Sequence, residues 1–335
     1  MDDIDKTILI GSQAEQPPAL GKCPVCSASF VPDQDRPDRL RCPVCGFVKT
    51  VQNTIATGNI IGGKYRILSP FRTGGNGIIF FCHPLDDASV RYVLKVMKNP
   101  AGPSRRRFRR EADILAAVKN NPRIARIIDC WEVEDETFIV MEYVNGKTLR
   151  QIRKEFFCDE LFALQVASET ALALSDIWEA CGVIHRDIKP DNIMLDDKNC
   201  LKLLDFGLSK RCSEPNESEI TLERAGLGTP GYMSPEQFSD FKHADFRSDI
   251  FSLGATMFFL ITGERPFDGS DPAAVYQNTL ANSPPPPERY KGLCSAGCIK
   301  LIARMMQKEP KDRHSSYGEL LNEIEDVMSR LPERN

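Results

Sequence analysis

From Lys64 onward the chain alternates short apolar runs, rich in β-branched and aromatic residues, with clusters of Gly, Pro and Asp. YRIL (65–68), IIFFC (78–82) and YVLKVM (92–97) are such runs, and their length and bounding turn residues predict antiparallel strands. One helical pattern interrupts them: in FRREADILAAV (108–118), Phe108, Ile114, Leu115 and Val118 fall near one face. Beyond Gly146 the period lengthens. Leu164, Ala167, Ala171, Leu174 and Trp178 recur at helical spacing within 159–181, and so do Ile250, Leu253, Met257 and Ile261 within 248–262. Ile299, Ile302 and Met306 form another stripe. Each stripe predicts a helix with one buried side. Ser316, followed three residues on by Glu319, is a capping-box pattern that opens the last helix. A strand-rich stretch (64–144) thus precedes a helical one (145–329), which predicts an α+β fold of two lobes with a cleft between them.

The chain before Lys64 reads differently. Residues 1–20 are polar, carry Pro17–Pro18 and predict a flexible tail. Residues 21–49 hold four cysteines in two tight pairs, and residues 50–63 are small, polar and aperiodic, as in a linker. No repeat of solenoid period is visible. Apolar residues make up 41% of the 335 and charged residues 27%, which excludes wholesale disorder and a coiled coil. The net charge of −4 excludes a global basic field for nucleic acid. The longest apolar stretch, Leu253 to Thr262, is about half of the ~18 residues a membrane span needs. The acidic start MDDIDKTILIG is no signal peptide. A cytoplasmic location follows as the expectation, and there twelve cysteines point to metal rather than to disulfides.

Cys23-Pro-Val-Cys26 and Cys42-Pro-Val-Cys45 are separated by 15 residues, which is zinc-ligand spacing. Two thiolates three apart face one ion from a tight turn, and two such turns complete a closed, tetrahedral four-cysteine site. A segment this short, with only Phe30, Leu40 and Phe47 as larger apolar residues, needs a staple to fold. A structural zinc ribbon over 21–49 is therefore expected; iron, redox pairs or ordinary cysteines are the alternatives. The other eight cysteines are scattered, with Cys294 and Cys298 read as ordinary thiols.

The chemistry concentrates further on. His185-Arg186-Asp187-Ile188-Lys189-Pro190-Asp191-Asn192 is followed, 13 residues after Asn192, by Asp205-Phe206-Gly207. In order and spacing these resemble the catalytic and metal-binding motifs of eukaryotic-type (Hanks-type) Ser/Thr protein kinases, in a bacterial-like form. The resemblance covers about residues 64–329 and implies a bilobal kinase fold. It implies Asp187 as acceptor of the substrate hydroxyl's proton, Lys189 on a γ-phosphate oxygen, and Asn192 and Asp205 as Mg²⁺ ligands. Lysine at 189 is the Ser/Thr form of the loop. Tyr92-Val93-Leu94-Lys95 resembles the strand whose lysine reaches the α/β-phosphates, with Glu111 as its helix partner.

The glycine-rich loop aligns with Arg72-Thr73-Gly74-Gly75-Asn76-Gly77. Arg72 replaces the first glycine, while Gly74, Gly75 and Gly77 let backbone N–H groups approach phosphates. The resemblance further implies Met141 as gatekeeper, backbone bonds from Glu142 and Val144 to adenine, and Ile79, Val93 and Met194 against the adenine faces. Gly228-Thr229-Pro230 and Ser234-Pro235-Glu236 resemble the substrate-docking loop and the A-P-E motif, with serine for alanine. Glu236 is then expected to pair with Arg313, and Asp249, near Gly254, to orient the backbone of the His185 loop.

Regulation is read from the same resemblance. Arg186 can pair with a phosphorylated loop, and Thr221, eight residues before Thr229, is the expected autophosphorylation site; a solvated threonine is the alternative. Arg105-Arg106-Arg107-Phe108-Arg109-Arg110 reads as a solvated helix entry; a dock for a phosphorylated loop or an acidic partner is the alternative. Thr7, with Ile10 three residues on in an acidic tail, resembles a ligand for a forkhead-associated phosphothreonine reader; an inert tail is the alternative. Three functions compete: an active ATP- and Mg²⁺-dependent kinase acting on protein Ser/Thr hydroxyls, a pseudokinase scaffold, and a ribbon adaptor for protein or nucleic acid. Pseudokinases usually lack an equivalent of Lys95, Asp187 or Asp205, and this chain has all three. The ribbon's basic residues are balanced by Asp33, Asp35 and Asp38, which disfavours nucleic acid.

Overall fold

The computed structural model describes residues 31–32, 39–41, 44, 48–50, 57–74, 77–98, 118, 120–133, 136–205, 210–211, 230–239 and 244–332. The N-terminal strands β1 (Val31–Pro32), β2 (Arg39–Arg41) and β3 (Val48–Thr50) pair antiparallel in that order. The four cysteines expected to bind zinc lie outside the described residues, although β2 runs directly up to position 42.

The strand-rich lobe is one six-stranded sheet: β4 (Ile60–Ile61), β5 (Tyr65–Gly74), β6 (Gly77–Pro84), β7 (Tyr92–Lys98), β8 (Ile127–Val133) and β9 (Glu136–Glu142). Its order is β4-β5-β6-β7-β9-β8. All three strands predicted from the apolar runs are present, as parts of β5, β6 and β7. The sheet also begins earlier than expected. β4 lies inside the 50–63 stretch read as a linker, and Gly58 N–H donates to Ile67 O while Ile67 N–H donates to Asn59 O. The polar composition of that stretch hid Ile61, which is buried in the lobe core with Ile67, Phe80, Leu94, Phe138 and Val140. Trp131 stacks between Tyr65 and Phe138 at 5.9 and 5.3 Å. Gly62 has φ +60°, and a Cβ there would stand 2.8 Å from the Trp131 ring, so this corner requires glycine. The β5–β6 pairing shifts register on both sides of Pro70, as expected of a residue with no N–H to give a ladder.

The helical lobe is built on α1 (Leu149–Glu155), α2 (Glu160–Cys181), α3 (Pro235–Ser239), α4 (Arg247–Thr262), α5 (Pro272–Asn282), α6 (Ala296–Met305) and α7 (Tyr317–Ser329). Short strands β10 (Gly146–Thr148), β12 (Ile193–Asp196) and β13 (Leu201–Leu203) form a three-stranded sheet, and β11 (Val183–Ile184) pairs with β14 (Lys210–Arg211). The helices at 159–181 and 248–262 form where expected, but α4 is not one-sided. Every residue from Ser248 to Ile261 is buried, so α4 is the axis of the lobe rather than a surface helix. The capping box at 316–319 closes by half. Ser316 Oγ accepts the Glu319 N–H, while the Glu319 carboxylate takes the N–H and Oγ–H of Ser315 instead. The helix predicted over 108–118 lies outside the described residues except Val118, which packs into the helical-lobe core.

Candidate active site

The segment from His185 to Asn192 links β11 to β12 and is clamped from below. Asp249, fully buried in α4, accepts the N–H of His185 through Oδ2 and of Arg186 through Oδ1, each at 2.8 Å. Burial raises the Asp249 pKa against the opposing pull of His185 and these N–H groups. The His185 ring lies 3.0 Å from Leu204 O through Nε2 and accepts the Asp187 N–H on Nδ1 at 3.3 Å. Those roles fix a neutral ring protonated on Nε2, and burial holds its pKa down. Arg186 sits at φ +70°, a strained conformation for a side-chain-bearing residue.

Asp187 follows that strained residue. Its carboxylate receives Lys189 Nζ at 2.8 and 2.7 Å and Asn192 Nδ2 at 2.7 Å. Asn192 Nδ2 also bonds the Asp187 carbonyl at 2.8 Å. Burial raises the Asp187 pKa, the Asp205 charge adds to the shift, and Lys189 opposes it. The net direction is the one a proton acceptor near neutrality requires.

Asp205 is delivered by β13. The Leu204 N–H bonds Asn192 O at 2.8 Å, and Asp205 turns at φ +57°. From the other lobe, Lys95 in β7 lies opposite Ile79 of β6 and Ile139 of β9. Its ammonium reaches Asp205 Oδ1 at 2.8 Å with the side chain only 5% exposed. Lys95, Asp187, Lys189, Asn192 and Asp205, spread over 110 positions, therefore meet in one place.

The expected adenine-lining residues lie on or beside strands of both lobes. Val93 lies opposite Met141 across β7–β9, Glu142 ends β9, Val144 is buried, and Met194 lies between Thr148 of β10 and Lys202 of β13. Ile79 and Val93 are half-buried on β6 and β7. Gly74 pairs with Gly77, while Gly75 lies outside the described residues. So do Glu111, Phe206, Gly207, Thr221, Thr229, Thr7 and the arginine run 105–110.

The expected Glu236–Arg313 pair is present. Arg313 bonds both Glu236 oxygens at 2.6 and 2.8 Å and spends its remaining donors on Gln307 O, Arg247 O and Lys308 O. Ser248 Oγ–H adds a bond to Glu236. Three further contacts were not foreseen. Lys202 Nζ stands 2.7 Å from Glu142 Oε1, an oxygen shut off from solvent. Arg150 holds Asp191 at 2.8 and 2.7 Å. Gln237 bonds Arg186 O. In sequence, Lys202 looks like a solvated strand lysine, and only its place three residues before Asp205 marked it.

A family model described as protein kinase domain matches residues 65–325. The chain is 36% identical over 283 residues to serine/threonine-protein kinase pkn3 of Myxococcus xanthus, covering 81% of this chain and 51% of that protein. It is 37% identical over 232 residues to serine/threonine-protein kinase PknB of Mycobacterium tuberculosis, covering 68% of this chain and 36% of that protein. The chain spans about half the length, or less, of these relatives. No helix among the described residues is long and apolar enough to cross a membrane.

Proposed function

The chain belongs to the protein kinase domain family, and on that premise we propose that it is an active Ser/Thr kinase, transferring the ATP γ-phosphate to protein hydroxyls. The observation that carries this reading is the convergence of Lys95, Asp187, Asn192 and Asp205, with Lys95 already drawn to Asp205 at 2.8 Å. A scaffold without turnover usually lacks an equivalent of Lys95, Asp187 or Asp205, and here all three are kept, with Lys95 and Asp205 in contact.

In the proposed reaction a substrate hydroxyl oxygen forms a bond to the γ-phosphorus, the bond to the β–γ bridging oxygen breaks, and ADP leaves. Asp187 accepts the hydroxyl proton, while Lys189, 2.7 Å away, faces the charge on the γ-phosphate oxygens. Lys95 takes the α/β-phosphates, with Glu111 as its proposed partner. Gly74, Gly75 and Gly77 cover the phosphates. Glu142 and Val144 meet adenine through their backbones, and Ile79, Val93 and Met194 meet its faces. The residues present fit Mg²⁺: Asn192 spends its N–H donors on Asp187, which leaves its carbonyl oxygen, with the Asp205 carboxylate, as hard ligands. The metal would neutralise phosphate charge.

Three further parts belong to the proposal. Cys23, Cys26, Cys42 and Cys45 hold a structural zinc, and the antiparallel three-stranded sheet β1–β3 in the same stretch of chain supports a ribbon. Thr221 is autophosphorylated, and phosphorylated Thr7 is offered to a forkhead-associated reader. Mass spectrometry of the protein after incubation with ATP and Mg²⁺ tests the reading: phosphate is expected at Thr221, and a protein that gains none refutes it.

A further inference from the structure

Arg186 O is the acceptor of a buried side chain that the catalytic reading leaves unexplained. Gln237, fully buried in the first turn of α3, donates from Nε2 to that carbonyl at 3.0 Å. Its Oε1 accepts both the N–H and the Oγ–H of Ser234, at 3.0 and 3.1 Å. Ser234 is itself fully buried. The amide orientation is fixed at both ends. A backbone N–H can only donate and a backbone carbonyl can only accept, so the oxygen must face Ser234 and the nitrogen Arg186. Ser234 stands where the A-P-E motif has alanine, and its added hydroxyl is spent on this bond.

The peptide unit that Gln237 holds is the one joining Arg186 to Asp187. Asp249 already grips the N–H groups of His185 and Arg186 from α4. With Gln237 on the carbonyl, the strained residue at φ +70° is pinned from two sides, and the second pin belongs to the segment that closes the substrate loop. We infer that Ser234 and Gln237 form a positioning relay that sets the carboxylate of Asp187 according to whether the 230–237 segment is docked. Neither residue touches the reacting atoms. The relay serves the kinase reaction proposed above and rests on that reading for its effect on rate. A placement error of about 1 Å costs up to ~100-fold in rate, so loss of one pin should be felt in turnover and not in nucleotide binding, which is built on Lys95 and Asp205.

The test uses the full chain with Gln237→Met, which keeps length and removes the donor. The expected result is a kcat about tenfold lower, an ADP dissociation constant within about twofold of wild type, and faster amide exchange in residues 185–192 but not in β6 and β7. A kcat and an exchange pattern unchanged from wild type would overturn the relay. So would an equal loss of kcat and ADP affinity, which marks general loosening. Should Gln237→Met fail to fold, Ser234→Ala decides in the same assays: a kcat about two- to threefold lower with faster exchange at 185–192 supports the relay, and wild-type behaviour overturns it. Wild-type protein that transfers no phosphate would refute the kinase reading, and the exchange comparison would still decide the clamp.

Discussion

Lys95 Nζ lies 2.8 Å from Asp205 Oδ1, across the cleft between the two lobes. A lysine this buried needs a counter-charge, because desolvating an ammonium costs several kcal/mol. Asp205 supplies it here. In the proposed reaction, phosphate oxygens would take over that role, which makes the pair a resting contact that nucleotide exchanges for its own.

Lys95→Met should therefore abolish phosphate incorporation while the fold persists. The aliphatic stem is replaced by one of similar volume, and the cost falls on Asp205, which is about one-third exposed and can be hydrated. Circular dichroism is expected to match wild type, and ADP titration should show affinity weakened at least tenfold. Unchanged ADP affinity would remove Lys95 from the phosphate site.

The Lys202–Glu142 contact ties the end of β9 to β13, the strand that delivers Asp205. It is a charge contact in which Lys202 compensates a carboxylate oxygen cut off from solvent. Lys202→Met should raise KM for ATP several-fold, with a smaller effect on kcat, and Lys202→Arg should restore most of the loss. Steady-state kinetics at varied ATP reads this. A fall in kcat at constant KM would assign Lys202 to chemistry rather than to nucleotide placement.

These contacts mark what the sequence could and could not reveal. Strands β5–β7 were legible as short apolar runs between turn residues and α2 by its stripe at helical spacing, while α4, buried on every side, showed its helical spacing but not that it is the axis of the lobe. The positions of Asp187, Asn192 and Asp205 were legible because the chemistry fixes both residue type and spacing. Ile60–Ile61 was not, since two residues carry no period. Lys202, Arg150 and Gln237 were not, since each acts through a partner at least 41 positions away, and a lone Lys, Arg or Gln reads as surface. Ser234 was seen as a departure from a motif, but its reason appears only with Gln237 beside it.

Glu236 and Arg313 should matter to stability rather than to turnover alone. Arg313 is fully buried and spends all five donors, so Glu236→Ala strands a charge and should cost about 3–5 kcal/mol in denaturant unfolding. Burial tends to raise the Glu236 pKa, but the bonds and charge of Arg313 outweigh it and the net shift is downward. The unfolded carboxyl thus binds protons first as pH falls. The pair's contribution is complete above about pH 4.3, the unfolded value, and fades as pH drops through the lower folded value. Glu319, held down to about 2 chiefly by the Ser315 N–H and hydroxyl and then by Arg304, acts with the same sign. Unfolding free energy measured across pH 2 to 7 should fall on the acid side, and less steeply in Glu236→Ala. Identical acid slopes would contradict this.

The cysteine pairs make a separate prediction. Purified protein should carry about one zinc per chain by elemental analysis, lost in the Cys23→Ser/Cys42→Ser double variant. Because the metal would supply the ribbon's folding energy, that variant should become protease-sensitive before residue 57 while the kinase lobes resist. Wild type with no bound zinc, or with iron, would refute the assignment.

Phosphate incorporation by Asp187→Asn beside wild type tests the proposed role of Asp187 in phosphoryl transfer. The substitution keeps the shape of the side chain and removes the carboxylate that Lys189 and Asn192 hold. Wild type is expected to phosphorylate itself with ATP and Mg²⁺, and the variant to lose at least about 100-fold in rate with an unchanged melting temperature. Incorporation by purified Asp187→Asn at the wild-type rate would contradict that role.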